Sequence, residues 1–340
     1  MLDNSIIRSL GLFAGLGLAV GTALAQTSSI VWKEIGDPGN QPWEDDRYPF
    51  LKFNGRGQVD HRYRMAETEL SLNQWVEFVR AYGPHADDPL DRRLIGNFIR
   101  FSYQDGELVY EVASGFENFP AQMSWRMAAR YTNWLHNDRV NEAWAFESGA
   151  YDTSTFTRND DGSYNDQDTR SPDARYWIPS MDEWMKAAYY DPDRFGEGLG
   201  GWWEQADGSD EALIAGFPGS GGETNASMAW DNWYSDTYDV GLYTDSRSPW
   251  GLLDMSGGMR EFTEEMLEPN SRRHRHTKGA SLFDDPSFYG AMDWIGSETW
   301  LIPTDGLDFA GIRLASAIPG PPTLLLVSGV FFWINPRKRR

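Results

Sequence analysis

The chain contains no cysteine. Disulfides, thiolate metal sites and cysteine nucleophiles are all excluded, and oxidative folding is not what stabilises it. Positive charge is also scarce. Thirty Lys and Arg stand against 51 Asp and Glu, a formal charge of −21 over 340 residues. Phosphate backbones need clustered cations, so nucleic acid is excluded as a partner. Low-complexity linkers and fixed-period repeats are missing too, which argues against an array of small units. What is present is the opposite of a disordered composition: 40% hydrophobic, 14% aromatic and 16 Trp, punctuated by 34 Gly and 18 Pro. Such a chain is folded, tightly turned and loop-rich, with a sizeable core. A monomer is expected.

The long apolar runs are confined to the two ends. Arg8 precedes an apolar stretch from Leu10 to Leu24, and Ala23-Leu24-Ala25 supplies an A-x-A cleavage site before Gln26. This describes a secretory signal peptide over residues 1–25. At the other end Pro319-Gly320-Pro321-Pro322 leads into an apolar segment, Thr323 to Ile334, and then Arg337-Lys338-Arg339-Arg340. The apolar segment is shorter than the roughly 20 residues of a membrane span. Residues 317–340 resemble a PEP-CTERM sorting signal, with Pro-Gly-Pro in place of Pro-Glu-Pro. That resemblance implies an exosortase-type sorting machinery as partner. It also implies export to the surface or matrix of a Gram-negative bacterium, with transient anchoring in the inner membrane.

Between the ends, residues 26–60 read as an irregular wrap rich in Pro, Gly and Asp. Tyr63 to Leu70 reads as a strand, followed by Ser71 as helix cap before Leu72, Trp75, Val76 and Val79 at helical spacing. Ser124 caps a second helix through Trp125, Ala128, Ala129, Thr132 and Leu135. A strand at Arg175–Ile178 precedes a third helix, where Ser180 and Glu183 form a capping-box pattern. The acidic stretch Asn159 to Asp168 lacks the EF-hand spacing and reads as a surface loop.

Five segments then fall in one order. They are Tyr63 to Phe78; Asn118 to Trp125; Tyr176-Trp177-Ile178-Pro179-Ser180-Met181-Asp182-Glu183-Trp184; Gly251-Leu252-Leu253-Asp254-Met255-Ser256-Gly257-Gly258-Met259-Arg260-Glu261-Phe262-Thr263; and Gly311-Ile312-Arg313-Leu314-Ala315. Together they resemble the formylglycine-generating enzyme (sulfatase-modifying factor) family, the fourth looking like its "GLYDMxGNVWEWT" signature. Here Gly258 stands for the Asn of that signature and Arg260 for its first Trp. The resemblance implies a single α+β domain over residues 61–316, related to the C-type lectin fold and low in regular secondary structure. Lys278-Gly279-Ala280-Ser281-Leu282 looks like the family's "RGGSW" strand. By that match the two catalytic cysteines of oxidase members fall on Asp284 and Tyr289. Asp and Tyr cannot imitate a soft two-sulfur copper site, so no copper and no thiol oxidase chemistry are expected.

The family also binds calcium. The resemblance carries one set of ligands to Asn225, Ala226, Asp239 and Gly241, and a second to Glu261 with the carbonyls of Ser256 to Met259. Oxygen-rich sets of this kind suit Ca²⁺. A different chemistry is offered by His274 and His276, two imidazoles at strand spacing, which with Asp284 or Asp285 would make a two-His-one-carboxylate metal site. Glu264-Glu265 and Asp284-Asp285 are carboxylate pairs of the type used in glycoside hydrolysis. The preferred expectation is an exported, non-catalytic pseudoenzyme that binds a ligand, with polysaccharide as the candidate. The alternative is a metal-dependent enzyme built on His274 and His276 plus Asp.

Overall fold

The structure is a computed structural model that describes residues 29–230, 238–267, 273–287, 289–304 and 310–319. The readings of a signal peptide and of a sorting tail beyond residue 319 lie outside the described residues. Strands are β1 (Trp32–Ile35), β2 (Tyr63–Ala66), β3 (Ile99–Gln104), β4 (Glu107–Val112), β5 (Tyr176–Trp177), β6 (Tyr190–Asp191), β7 (Gly201–Trp202), β8 (Arg260–Leu267), β9 (His274–Lys278), β10 (Thr299–Leu301), β11 (Ala310–Gly311) and β12 (Ala315–Ser316). Helices are α1 (Leu72–Tyr82), α2 (Arg92–Ile95), α3 (Trp125–His136), α4 (Ala143–Glu147), α5 (Met181–Tyr189) and α6 (Tyr289–Asp293). No described helix is long and apolar enough to cross a membrane.

Two four-stranded sheets organise the molecule, in the orders β1-β2-β12-β5 and β10-β9-β8-β11. The first is antiparallel throughout, while β11 runs parallel to β8 in the second. The wrap of residues 26–60 is not irregular throughout, because Trp32–Ile35 forms β1 and pairs with Tyr63–Ala66. Tyr63 and Met65 alternate inward on β2 and are fully buried, leaving Arg64 on the outer face.

The three predicted helices form where their caps place them. The Ser71 and Ser180 hydroxyls accept from the third helical N–H, and Gln74 and Glu183 return the bond to the cap backbone. Ser124 caps α3 in the same way, without the return bond. Their apolar faces meet in one core, in which Trp75, Trp125 and Trp184 are fully buried. Trp75 packs on Tyr131 at 5.7 Å and Phe78 on Trp134 at 6.0 Å, which docks α1 on α3. The acidic stretch is a surface turn only in its first half, where Asn159 and Asn165 bond each other and Asp161 caps Ser163, whereas Tyr164 and Asp166 are buried and Asp166 pairs with Arg126.

Candidate functional site

Three segments distant in sequence are laced together around the signature turn. The Gly257 N–H donates to the Ala280 carbonyl at 3.0 Å and the Leu282 N–H to the Gly258 carbonyl at 2.9 Å. Ser227 and Ala229 donate to the carbonyls of Ser281 and Leu282 at 3.0 and 2.8 Å. The turn itself needs left-handed backbone at Asp254, Gly257 and Gly258, with φ of 55°, 91° and 56°. Gly258 also makes room. A Cβ there would overlap the carboxyl of Glu69, whose two oxygens accept from the Met259 N–H at 3.2 and 3.0 Å. Burial, with Glu261 and Asp254 close by, pushes Glu69 well above the usual carboxylate range. The buried Glu69 carboxyl thus fills the space beside Gly258, where the signature has Asn.

The second departure from the signature, Arg260, contacts Asp284. Arg260 Nη2 bonds Asp284 Oδ1, and Arg260 Nε donates to Oδ2 at 3.3 Å. The Asp284 side chain is 2% exposed and also accepts the Ser281 N–H at 2.7 Å. The guanidinium of Arg260 therefore pairs with the carboxylate of Asp284, the residue that the sequence match sets at the first cysteine. Such a pair offers no nucleophile and no soft metal ligand. Tyr289, the second position, opens α6.

Glu261 is fully engaged. Arg313 donates to Oε1 from Nε and Nη2 at 2.9 and 2.7 Å, and Trp184 Nε1 donates to Oε2 at 2.6 Å. Arg313 also bonds the carbonyls of Ala66, Glu67, Leu253 and Asp254. A buried guanidinium on this carboxylate takes the place a divalent cation would need, so Glu261 does not fit the second calcium set. The first set lies on neighbouring segments. Tyr238 OH donates to the Met228 carbonyl at 3.0 Å, which ties the strip carrying Asp239 and Gly241 to the one carrying Asn225 and Ala226. Asn225 Oδ1 accepts the Gly258 N–H at 2.7 Å, and Asp239 is half-buried.

The histidine site is not formed, which corrects the enzymatic alternative. His274 and His276 lie on β9 at 6% and 0% exposure. The His274 ring packs on Trp300 at 4.8 Å and the His276 ring on Phe53 at 5.2 Å. Burial drives His276 down to about 3, with Lys52, Lys278 and Arg56 adding repulsion. Asp284 is held by Arg260 instead, and Asp285 caps Ser287 at 2.9 Å. Among the described residues no three His, Cys, Asp or Glu side chains are grouped to hold a metal. The carboxylate pairs also separate. Glu264 is buried and bonded by Tyr151 at 2.7 Å and Arg170 at 3.0 Å, whereas the neighbouring Glu265 pairs with Arg56 at 3.1 Å.

The profile of the sulfatase-modifying factor enzyme 1-like domain matches residues 51–318. The chain belongs to that family. Variable protein 1 of Treponema denticola has a similar fold at 16% identity, with a TM-score of 0.52 over 84% of this chain and 95% of that one. CarF (18% identity, TM-score 0.47, 86% and 99% covered) and PvdO of Pseudomonas aeruginosa (14%, 0.44, 85% and 92%) are more distant in shape. Among curated proteins no sequence matches. At these identities the likeness concerns fold alone. The result is a single family domain of mixed helix and strand, without the cysteines of oxidase members.

Two structurally decisive residues were missed in sequence, Asp293 altogether and Lys278 except as part of a motif. Asp293 accepts from Ser256 Oγ at 2.6 Å and the Ala280 N–H at 2.8 Å, and burial raises it to about 7. Lys278 reaches the carbonyls of Ile295 and Ser297 at 2.9 and 3.2 Å, and burial lowers it to about 7. Asp293 thereby ties the turn to Ala280, and Lys278 ties β9 to residues 295 and 297. Arg313 was visible as part of a motif, but its role as the partner of Glu261 was not.

Proposed function

We propose that this chain is an exported, non-catalytic member of the sulfatase-modifying factor family that binds a ligand, with an extracellular polysaccharide as the candidate. The observation that carries this reading is the Arg260–Asp284 ion pair, whose carboxylate is buried where oxidase members are expected to place a thiol. It closes the position rather than furnishing another reactive group. Exposed aromatics elsewhere, among them Tyr48, Tyr103, Trp144 and Trp230, offer the flat apolar surfaces on which sugar rings stack. A scaffold related to C-type lectins suits that role, and the two terminal segments suit export and surface sorting. Incubation with copper and a cysteine peptide should yield no aldehyde, while a glycan array should register binding. Aldehyde formation, or an array and surface-polymer pull-down that are both blank, would end the proposal.

Calcium at Asn225, Ala226, Asp239 and Gly241 forms part of the same reading. Ligands that bind only the native state stabilise it, so Ca²⁺ should raise the thermal midpoint and Asp239→Ala should remove the increase. A midpoint indifferent to EGTA in the unsubstituted protein would rule the ion out.

A further inference from the structure

The outer face of the first sheet carries a site built differently from the signature turn. Pairing aligns Glu34, Arg64, Ser316 and Tyr176 across β1, β2, β12 and β5, and Trp32 lies two residues from Glu34 on the same face. Strands β1 and β5 are separated by two others, which puts their backbones roughly 14 Å apart. Yet the Trp32 and Tyr176 ring centroids are 5.9 Å apart with planes tilted by 35°. The rings therefore lean toward each other over Arg64. Its guanidinium donates to Ser316 Oγ from Nε and Nη2 at 3.1 and 2.9 Å and lies 5.1 Å from the Trp32 ring. Among the described residues no carboxylate lies within ion-pair distance of Arg64, although acidic side chains far outnumber basic ones in this chain.

In front of the rings is a cleft of about 350 Å³, at the lower end of small-ligand sites. Its rim consists of Asp138, Arg139 and Arg175, with Ile30 at one side. Asp138 and Arg139 are consecutive non-glycine residues at positive φ, 55° and 60°, a conformation that the backbone maintains only at a cost. Arg175 bonds Asp138 and lies 5.9 Å from the Tyr176 ring, and Arg139 bonds Glu77 at 2.7 Å. The cleft is thus lined by two aromatic rings, two guanidiniums and one exposed carboxylate.

We propose that this cleft binds an anionic polysaccharide through its uronate rings. The apolar face of a pyranose stacks on Trp32 and Tyr176. Its carboxylate is taken by the forked donors of Arg175 and Arg139, and Asp138 accepts from ring hydroxyls. The overall charge of −21 repels a polyanion, so any such binding has to come from local contacts, with the ligand carboxylate sharing Arg175 and Arg139 with Asp138 and Glu77. This proposal rests on the ligand-binding reading above and assigns its location and ligand class.

The test is titration of the purified protein with oligogalacturonate and with a neutral cello-oligosaccharide, read by calorimetry and tryptophan fluorescence. The oligogalacturonate should bind, more weakly as salt rises, and the neutral sugar should not. Arg175→Glu, at a half-exposed position, should weaken binding by at least about tenfold, as should Trp32→Ala if circular dichroism shows it folded. No binding of the oligogalacturonate, or binding untouched by Arg175→Glu, overturns the assignment. A different glycan that binds the array and is indifferent to both substitutions would leave the ligand-binding reading standing and remove this cleft from it. If no glycan binds at all, both fail together.

Discussion

At the scale of single residues, two departures from the family signature are compensated by partners elsewhere. Asp284 and Arg260 are the clearer case, since each alone would be a buried or half-buried charge. Removing one partner of such a pair strands the other, which costs about 3 kcal/mol. Asp284→Ala should lose about that much unfolding free energy in urea. The double replacement Arg260→Leu with Asp284→Leu should cost far less than the two single losses added together, because neither charge is then left behind. Additive losses would show that the pair is incidental. Gly258 is the second case. Gly258→Ala combines a positive φ with an overlap on the Glu69 carboxyl, so it should destabilise by more than the roughly 1 kcal/mol of an ordinary strained turn position. A cost below that in the same assay would show that Glu69 moves aside freely.

At the scale of elements, α5 links the two sheets through what its cap fixes. Glu183 accepts from the Ser180 N–H at 2.9 Å, Trp177 Nε1 at 3.0 Å and Arg170 Nη2 at 2.7 Å, and His61 Nε2 lies 2.9 Å away. Against the upward push of burial, His61 and Arg170 hold Glu183 down to about 2. A depressed carboxylate adds stability that is complete above its unfolded value near 4.5 and is lost as pH falls toward 2. Glu183→Gln should therefore destabilise strongly at pH 7 and much less near pH 3. Urea midpoints at the two values check it, and equal losses would mean that Glu183 acts only as a helix cap. This element was readable in advance, because Ser180 and Glu183 are three residues apart and a capping box is a local pattern. The same holds for α1 and α3. What could not be read are partnerships between distant residues, such as Glu69 with Gly258, Arg260 with Asp284 and Glu261 with Arg313. Each looks like an isolated exception until the chain is folded. Strand β1 was missed for a related reason: four residues just ahead of a Gly- and Pro-rich stretch have no periodicity of their own and become a strand only by pairing with β2.

At the scale of the whole molecule, the buried titratable groups set the direction of the pH response. Burial raises Glu264 and Asp293 to about 7 and Asp254 to about 6. Between their unfolded values near 4 and these folded ones, the native chain holds more protons than the unfolded chain, so stability falls as pH rises. His276 opposes this between about 3 and 6.5, where the unfolded chain is the more protonated. Lys278 does the same only above about 7. In the window from about 5 to 7, these three carboxyls, joined by the raised Glu69, thus act against one imidazole, and falling net negative charge relieves self-repulsion in the same direction. The thermal midpoint should be higher near pH 5 than at pH 7, and added salt should raise it at pH 7 by screening the excess of acids. Glu264→Gln should flatten the slope, because the neutral amide no longer releases a proton on unfolding. Scanning calorimetry across this window decides the matter. A midpoint that rises from pH 5 to 7 would mean that Glu264 and Asp293 are ionised in the native state and that Arg170 and Lys278 carry their charge.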